Sequence, residues 1–368
     1  MADATPQVHR GQVLAHRARA QQLHRPGGLR PAELTVLDIG VQDTPYGSAR
    51  QALAARGVID LDDDRLTLVW STRGAPHLHR TAELATLTAA LWPLSDADAT
   101  RRIAGQIRDG ARLGRAAFHA AAEAFRAVVT APMARGEVSR AVSARIPDAL
   151  NFDCRACASR HVSGGLFQQA GLAGGVRLAV AGRAAALLPR DERPAPPERA
   201  AGTDELVLAC LRLLGPATVA DIAGFLGTSP TELRTVWPAD RLTEVRVDDR
   251  RAWVPGDQLD ALRAATPLDG VRLLPPGDPF LQARDRDVLV PEPAHRAELW
   301  RVLGNPGAVL VDGEIRGTWR VKQAARGRLE LTVAPFTDLP KRAVSQLEAE
   351  AETVRVARAA SEVTVRFD

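Results

Sequence analysis

Apolar residues Val207, Cys210, Leu211 and Leu214 recur at i, i+3, i+4 and i+7, the spacing that lays one stripe along an α-helix. Pro216 interrupts the run, and Val219, Ile222, Ala223 and Leu226 then repeat the spacing as far as Gly227, which reads as a helix stop. Ser229-Pro230-Thr231-Glu232 carries a helix start. The serine can cap, proline occupies the first helical position, where its missing N–H costs nothing, and glutamate closes the box. A third helix is predicted from there to about Trp237. Alternation in residues 242–247 and 252–254, flanking Asp248-Asp249-Arg250-Arg251, predicts a hairpin. Three helices followed by a hairpin make the winged-helix plan, a variant of the helix-turn-helix.

The same order is legible twice more. Helical patterns over residues 12–23, 31–37 and 48–56 precede strand-like runs at 59–61 and 66–70, joined by the acidic turn Asp62-Asp63-Asp64. In the middle, helices over 115–129, 136–145 and 163–171 precede strands at 176–180 and 184–188, with Gly182-Arg183 at the turn. A linker is expected over 189–202, where prolines stand at 189, 194, 196 and 197. After about Gly270 the pattern turns β-rich: Val309-Leu310-Val311, then Asp312-Gly313, a hairpin signal, then residues 315–321 and 329–333. A charged helix is expected over 339–358. The predicted class is α+β, with winged-helix domains at 1–95, 96–188 and 203–268 and a β-rich C-terminal domain at 269–368.

Composition narrows the setting. No stretch approaches the roughly 18 apolar residues of a membrane span, and the Arg- and His-rich start lacks the apolar core of a secretory signal. The expected compartment is therefore the cytoplasm, in association with the nucleoid. Cys154, Cys157 and Cys210 are too few to build a disulfide framework for 368 residues. Lys322 and Lys341 are the only lysines, so nearly all positive charge is arginine. A GC-rich coding bias explains that as readily as function does. The local distribution says more: residues 101–145 hold nine arginines against Asp109, Glu123 and Glu137, an excess suited to neutralising phosphates.

Four segments together resemble a known family. They are Asp38-Ile39-Gly40-Val41-Gln42-Asp43, the run from Ser71 to His79, the run from Leu273 to Phe280, and the run from Val309 to Arg320. In order and spread along the chain they are similar to the bacterial winged-helix DNA glycosylases of the AlkZ and YcaQ type. The resemblance implies three tandem winged helices, a β-rich C-terminal part, and removal of alkylated bases, including crosslinked ones, from DNA. It also implies a catalytic motif of glutamine, an apolar residue, then glutamine or aspartate. The matching positions here are Gln42, Asp43 and Thr44. This chain departs from the pattern, because its carboxylate sits one residue early, and in a strand one residue turns a side chain to the other face.

The chemistry can be weighed from the residues themselves. Cleaving an N-glycosidic bond builds positive charge on the sugar, so an acceptor or carboxylate beside C1′ and a positioned water are needed. Asp43 can supply the carboxylate, Gln42 can hold water, and Thr44 can assist. Alternatively, Asp43-Thr44-Pro45 serves only as a cap for the helix that begins near Ser48. His77 and His79 lie on one side of a predicted strand, either as DNA contacts or simply as surface histidines. Arg73-Gly74 ahead of them suits a tight turn that offers a guanidinium to the backbone. The expected DNA-binding set is Arg73, His77, His79, Arg101, Arg102, Arg112 and Arg115. Cys154, Cys157 and His161 have spacing suited to one zinc corner but lack a fourth ligand. The expectation is therefore two thiols packed ahead of the helix near Ser163, with no metal and no cofactor. The expected partner is double-stranded DNA, bound by a monomer. The leading reading is a monofunctional DNA glycosylase, and the alternative is a non-catalytic winged-helix regulator or lesion sensor.

Overall fold

The computed structural model describes residues 5–181 and 184–368. The predicted turn at Gly182-Arg183 lies outside the described residues. The chain divides into two units, each discontinuous in sequence. The first comprises Met1–Asp64, Leu208–Ile222 and Pro238–Asp368, and the second Arg65–Val207 and Ala223–Trp237. The class is α+β, and among the described residues no helix is long and apolar enough to cross a membrane.

The first unit is organised by a five-stranded sheet whose order follows the sequence: Val271–Leu274, Gly307–Val311, Glu314–Gln323, Arg328–Pro335 and Glu362–Phe367. All pairs are antiparallel except the last. Asp312 and Gly313 form the predicted two-residue turn, both with positive φ, a conformation aspartate and glycine tolerate and a tight hairpin requires. Leu329, Leu331 and Val333 alternate inward along one strand. Against that face lies helix Lys341–Ala357, which buries Ala343, Leu347, Ala351 and Val354 as a single stripe. A smaller core gathers Val8, Val13, Val245, Val247, Ala252 and Val254. There the predicted hairpin, now Leu242–Val247 and Arg250–Pro255, gains a third strand, Gln7–Val8, paired parallel to it. Two residues are too few to leave an alternating signature, so the sequence did not announce that strand.

The second unit packs Trp70, Phe118, Phe125 and Phe167 at its centre. Phe167 meets Trp70 edge-on at 5.4 Å and Phe125 at 4.8 Å. Gly171 permits this arrangement, since a Cβ there would fall 2.7 Å from the Trp70 ring. Helices Arg115–Val128, Arg135–Ser143 and Gly164–Gly171 and strands Val176–Ala181 and Ala184–Pro189 follow the expected order.

Four elements differ from expectation, the first being residues 31–37, which form two short 3-10 turns, Pro31–Glu33 and Thr35–Asp38, in place of the expected helix. Residues 59–61 form no strand, and Ile59 is exposed. Leu66–Trp70 pairs instead with Pro76–Arg80, because the turn at Ser71–Ala75 supplies a closer partner than the three-residue run upstream. The third-module helix Pro230–Arg234 stops three residues before Trp237, since Pro238 disfavours helical geometry in the residue before it. A further hairpin, Asn151–Cys154 with Ser159–Val162, precedes helix Gly164–Gly171.

Candidate active site

Val41–Gln42 is a short strand that runs on into Asp43-Thr44-Pro45. Successive extended residues face opposite ways. Gln42 and Thr44 therefore open onto a cavity of about 570 Å³ in the first unit, whose lining does not include Asp43. Asp43 is buried instead, with its Oδ1 accepting from the backbone N–H of Gly47 at 2.8 Å and of Ala49 at 3.0 Å. These groups open helix Ser48–Ala55, so Asp43 satisfies donors that the helix itself leaves without partners. Burial pushes its carboxyl up from the usual range, against the two N–H groups that pull it down.

The other end of that helix anchors the opposite wall of the cavity. Arg56, its C-cap, forms a fully buried ion pair with Asp278 at 2.9 Å. Every guanidinium donor is used: Nε on Gln21 O, Nη1 on Ala52 O and Asp278 Oδ2, and Nη2 on Gln21 Oε1 and Asp278 Oδ1. Asp278 also accepts from Phe280 N at 2.9 Å, which fixes the turn that carries Gly277 and Gln282. Gln282 Nε2 donates to Gln42 Oε1 at 2.8 Å and to Gly277 O at 3.3 Å. Gly277 has φ +77°, and a Cβ there would sit 3.3 Å from Thr44 O and 3.5 Å from Gln42 Cδ. Glycine is thus required both for the turn and for the close approach to Gln42.

The cavity rim is cationic. Arg284, Arg286, Arg301 and Arg320 line it, and no carboxylate does among the described residues. Arg286 lies over the Trp300 ring at 5.0 Å, a cation–π contact. Beside them Val302 is 100% and Leu303 87% exposed, an apolar tip amid positive charge. The arrangement can seat a planar, polar group, hold water on an amide and attract anions.

The remaining candidates lie in the second unit. Arg73 adopts φ +57° in a turn with Gly74, as expected, and donates to Phe225 O while resting over the Phe225 ring. His77 and His79 do share one side of their strand, but each is only 2% exposed, which corrects the surface-histidine expectation. Their strand alternates with the inward face occupied by imidazoles rather than aliphatic residues. His77 Nδ1 donates to Ala75 O at 2.9 Å, and His79 Nε2 lies 2.8 Å from Ser71 Oγ. Burial drives both pKa values down, to about 4 and about 3, so both rings are neutral.

The arginine excess is smaller than a count over 101–145 suggests, because two balancing carboxylates sit just upstream. Asp98 pairs with Arg101 at 3.1 Å and with Arg102 at 2.6 Å, and Arg102 is largely buried. Asp96 pairs with Arg115 at 3.0 Å. Arg112 is the candidate left most open, with an 80% exposed side chain and Asp109 as far off as 3.9 Å. The cysteine expectation is also corrected: Cys157 is exposed and Cys154 half-buried, not packed ahead of a helix.

The sequence model described as DNA glycosylase AlkZ-like matches residues 44–356. The chain belongs to this family. A related protein, the interstrand DNA cross-link repair glycosylase of Streptomyces sahachiroi, is 35% identical over 180 residues, a segment that spans 46% of each protein. The chain thus matches about half the length of that relative. The solved structure of Streptomyces sahachiroi DNA glycosylase AlkZ aligns with a TM-score of 0.71 at 23% identity, covering 98% of this chain and 100% of that one. The α+β fold is accordingly that of AlkZ. In this AlkZ-like chain the family match begins at Thr44, so Gln42 and Asp43 precede it. Gln282, Arg284 and Trp300 escaped the sequence reading, because they stand some 240 residues from Gln42 in turns without periodicity. The run ending at Phe280 was the signal nearest to Gln282 and Arg284, and the run beginning at Val309 the one nearest to Trp300.

Proposed function

We propose that the chain is a monofunctional DNA glycosylase that hydrolyses the N-glycosidic bond of alkylated bases in duplex DNA, crosslinked ones included. The observation that carries this reading is the placement of Gln42 and Thr44, the first and third motif positions, on a cavity from which Asp43 is turned away. Its volume falls within the roughly 300–1,000 Å³ of small-molecule sites, enough for a base extruded from the stack. Gln282 holds the Gln42 amide in one orientation, so Gln42 can position the attacking water, with Thr44 assisting. Oriented amide and hydroxyl dipoles then meet the positive charge that grows on the sugar. The cationic rim and the exposed Arg112 suit phosphates. The Val302-Leu303 tip suits insertion between base steps.

In this reading three winged-helix domains, at 1–95, 96–188 and 203–268, precede the β-rich domain at 269–368. The protein acts as a monomer on double-stranded DNA in the nucleoid, without a cofactor in the reaction.

Duplexes carrying N7-methylguanine or N3-methyladenine test the assignment, read as free base and abasic product. Gln42→Ala is expected to slow release about 100-fold or more, the usual scale for losing a preorganised dipole that orients the attacking group or meets the developing charge. Asp43→Asn keeps an oxygen for the helix cap and is expected to stay within about threefold of the parent rate; a loss matching that of Gln42→Ala would mean that Asp43 acts in the chemistry. A second expectation concerns the tip. Leu303→Ala should slow release from paired lesions about tenfold, and less when the lesion sits opposite a mismatch, where extrusion is cheaper. Equal slowing on both substrates would rule the tip out as a wedge. The absence of a lining carboxylate favours one alternative, a lesion sensor. Salt-sensitive binding with no base release at protein excess would establish it in place of the enzyme.

A further inference from the structure

Cys154, Cys157 and His161 form a cluster that the proposed base-excision chemistry does not use. Cys154 ends the first strand of the hairpin Asn151–Cys154 with Ser159–Val162, and Cys157 stands in the turn between the strands. On the returning strand, His161 pairs with Phe152 in register. This folding back brings the two sulfurs and a ring nitrogen of His161 within 4.8 Å of one another. In a tetrahedral zinc site, bonds of about 2.3 Å to sulfur and 2.0–2.1 Å to nitrogen place neighbouring ligand atoms roughly 3.5–3.8 Å apart. Side-chain rotations at an exposed turn suffice to close the remaining gap.

The surroundings favour a soft cation. His161 Nδ1 lies 2.8 Å from Val162 O, and since a carbonyl only accepts, Nδ1 carries the proton and Nε2 keeps its lone pair. A backbone carbonyl holding the far ring nitrogen is the usual support of a metal-binding histidine. The Phe152 ring meets the imidazole edge-on at 5.0 Å, which limits its rotation. The neighbouring carboxylates are engaged elsewhere: Asp148 and Asp153 pair with Arg160 at 2.9 and 3.0 Å. The donor set is therefore two sulfurs and one imidazole, which selects thiophilic metals over calcium or magnesium.

We propose that Cys154, Cys157 and His161 bind one thiophilic divalent cation, zinc being the physiological match, with water or an outside ligand in the fourth position. The base of the hairpin is already held, since Ser143 Oγ accepts from Val162 N at 2.8 Å and Asn151 Nδ2 donates to Ser143 O at 3.1 Å. The tip has no comparable tie to the neighbouring helices among the described residues. A bound cation crosslinks that tip. It thereby steadies the strand that leads directly into Ser163, the N-cap of helix Gly164–Gly171.

Cobalt(II) titration of the full-length, reduced, metal-free protein tests this without reference to DNA. The expected result is saturation at one equivalent, with an intense thiolate-to-cobalt band in the near ultraviolet and visible bands of tetrahedral strength, all removed by one equivalent of zinc. Cys154→Ser and Cys157→Ser should each lose the thiolate band with unchanged far-ultraviolet circular dichroism. Cys210→Ser, altered at a buried helical thiol, should keep it. No band with the parent protein, weak octahedral bands only, or a thiolate band that survives both Cys154→Ser and Cys157→Ser would overturn the proposal.

Discussion

Asp278→Ala is expected to lower the stability of the first unit by about 3–5 kcal/mol, the scale for breaking a buried ion pair by removing one partner. Both side chains of the Arg56–Asp278 pair are 0% exposed. Without Asp278 the guanidinium keeps its carbonyl partners but loses the charge that makes its burial tolerable. The turn at Gly277 also loses the acceptor for Phe280 N, so Gln282 is no longer held against Gln42. Urea midpoints of the parent and Asp278→Ala measure the first effect, and base release from alkylated duplex measures the second. Asp278→Asn separates them, since it can still cap Phe280 N while leaving Arg56 without a countercharge. A stability loss below about 1 kcal/mol in Asp278→Ala would show that Arg56 finds another partner or water.

Acid should unfold the second unit unusually steeply. His77 and His79 are neutral in the folded protein, with values of about 4 and about 3 against 6.5 for a free imidazole. Burial is the main cause for both; for His77 the charge of Arg73 adds to it, and for His79 the charges of His77 and Arg80 do. The unfolded chain takes up both protons near pH 6.5, whereas the folded chain refuses them until about pH 4 and below. Stability is therefore complete above pH 6.5 and falls with pH through the window from about 6.5 to 4. With two protons at stake the slope approaches about 3 kcal/mol per pH unit. His16 in the first unit, lowered to about 4, has the same sign. Urea midpoints at pH 7, 6 and 5 test this, and the double replacement His77→Gln with His79→Gln should flatten the curve. A parent curve already flat between pH 7 and 5 would mean that these imidazoles accept protons in the folded state.

The sequence revealed those parts of the fold in which one short stretch contains its own signal. Asp312-Gly313 predicted its hairpin because both residues tolerate positive φ. Likewise, the i, i+3, i+4, i+7 spacing repeated in residues 207–226 predicted two helices, because each buries one stripe. Alternation placed His77 and His79 on one side of a strand, yet could not say that this side was inward. That depends on which surface closes over it, and histidine carries no fixed preference for either environment. The motif segment divides between neighbouring residues. Gln42 and Thr44 open onto the cavity, whereas Asp43 accepts from the N–H groups that open helix Ser48–Ala55. The cap had been legible beforehand as Asp and Thr ahead of a proline. Gln282 was not, because nothing local marks a glutamine whose only distinction is a partner far along the chain.

The distance between Arg56 and Asp278 also bears on how the molecule is made. Their bond joins positions 222 residues apart, and the whole second unit is encoded between them. At about 5–20 residues per second, an arginine leaving the ribosome waits roughly 10–45 s for its aspartate. Until the end of that interval the first 64 residues lack Asp278 and the sheet strands that follow it, although the segments at 208–222 and 242–262 that belong to the same unit emerge within the interval. The inserted unit, whose last residue is Trp237, is finished first, and any nascent chain released before residue 278 carries an N-terminal portion that cannot close.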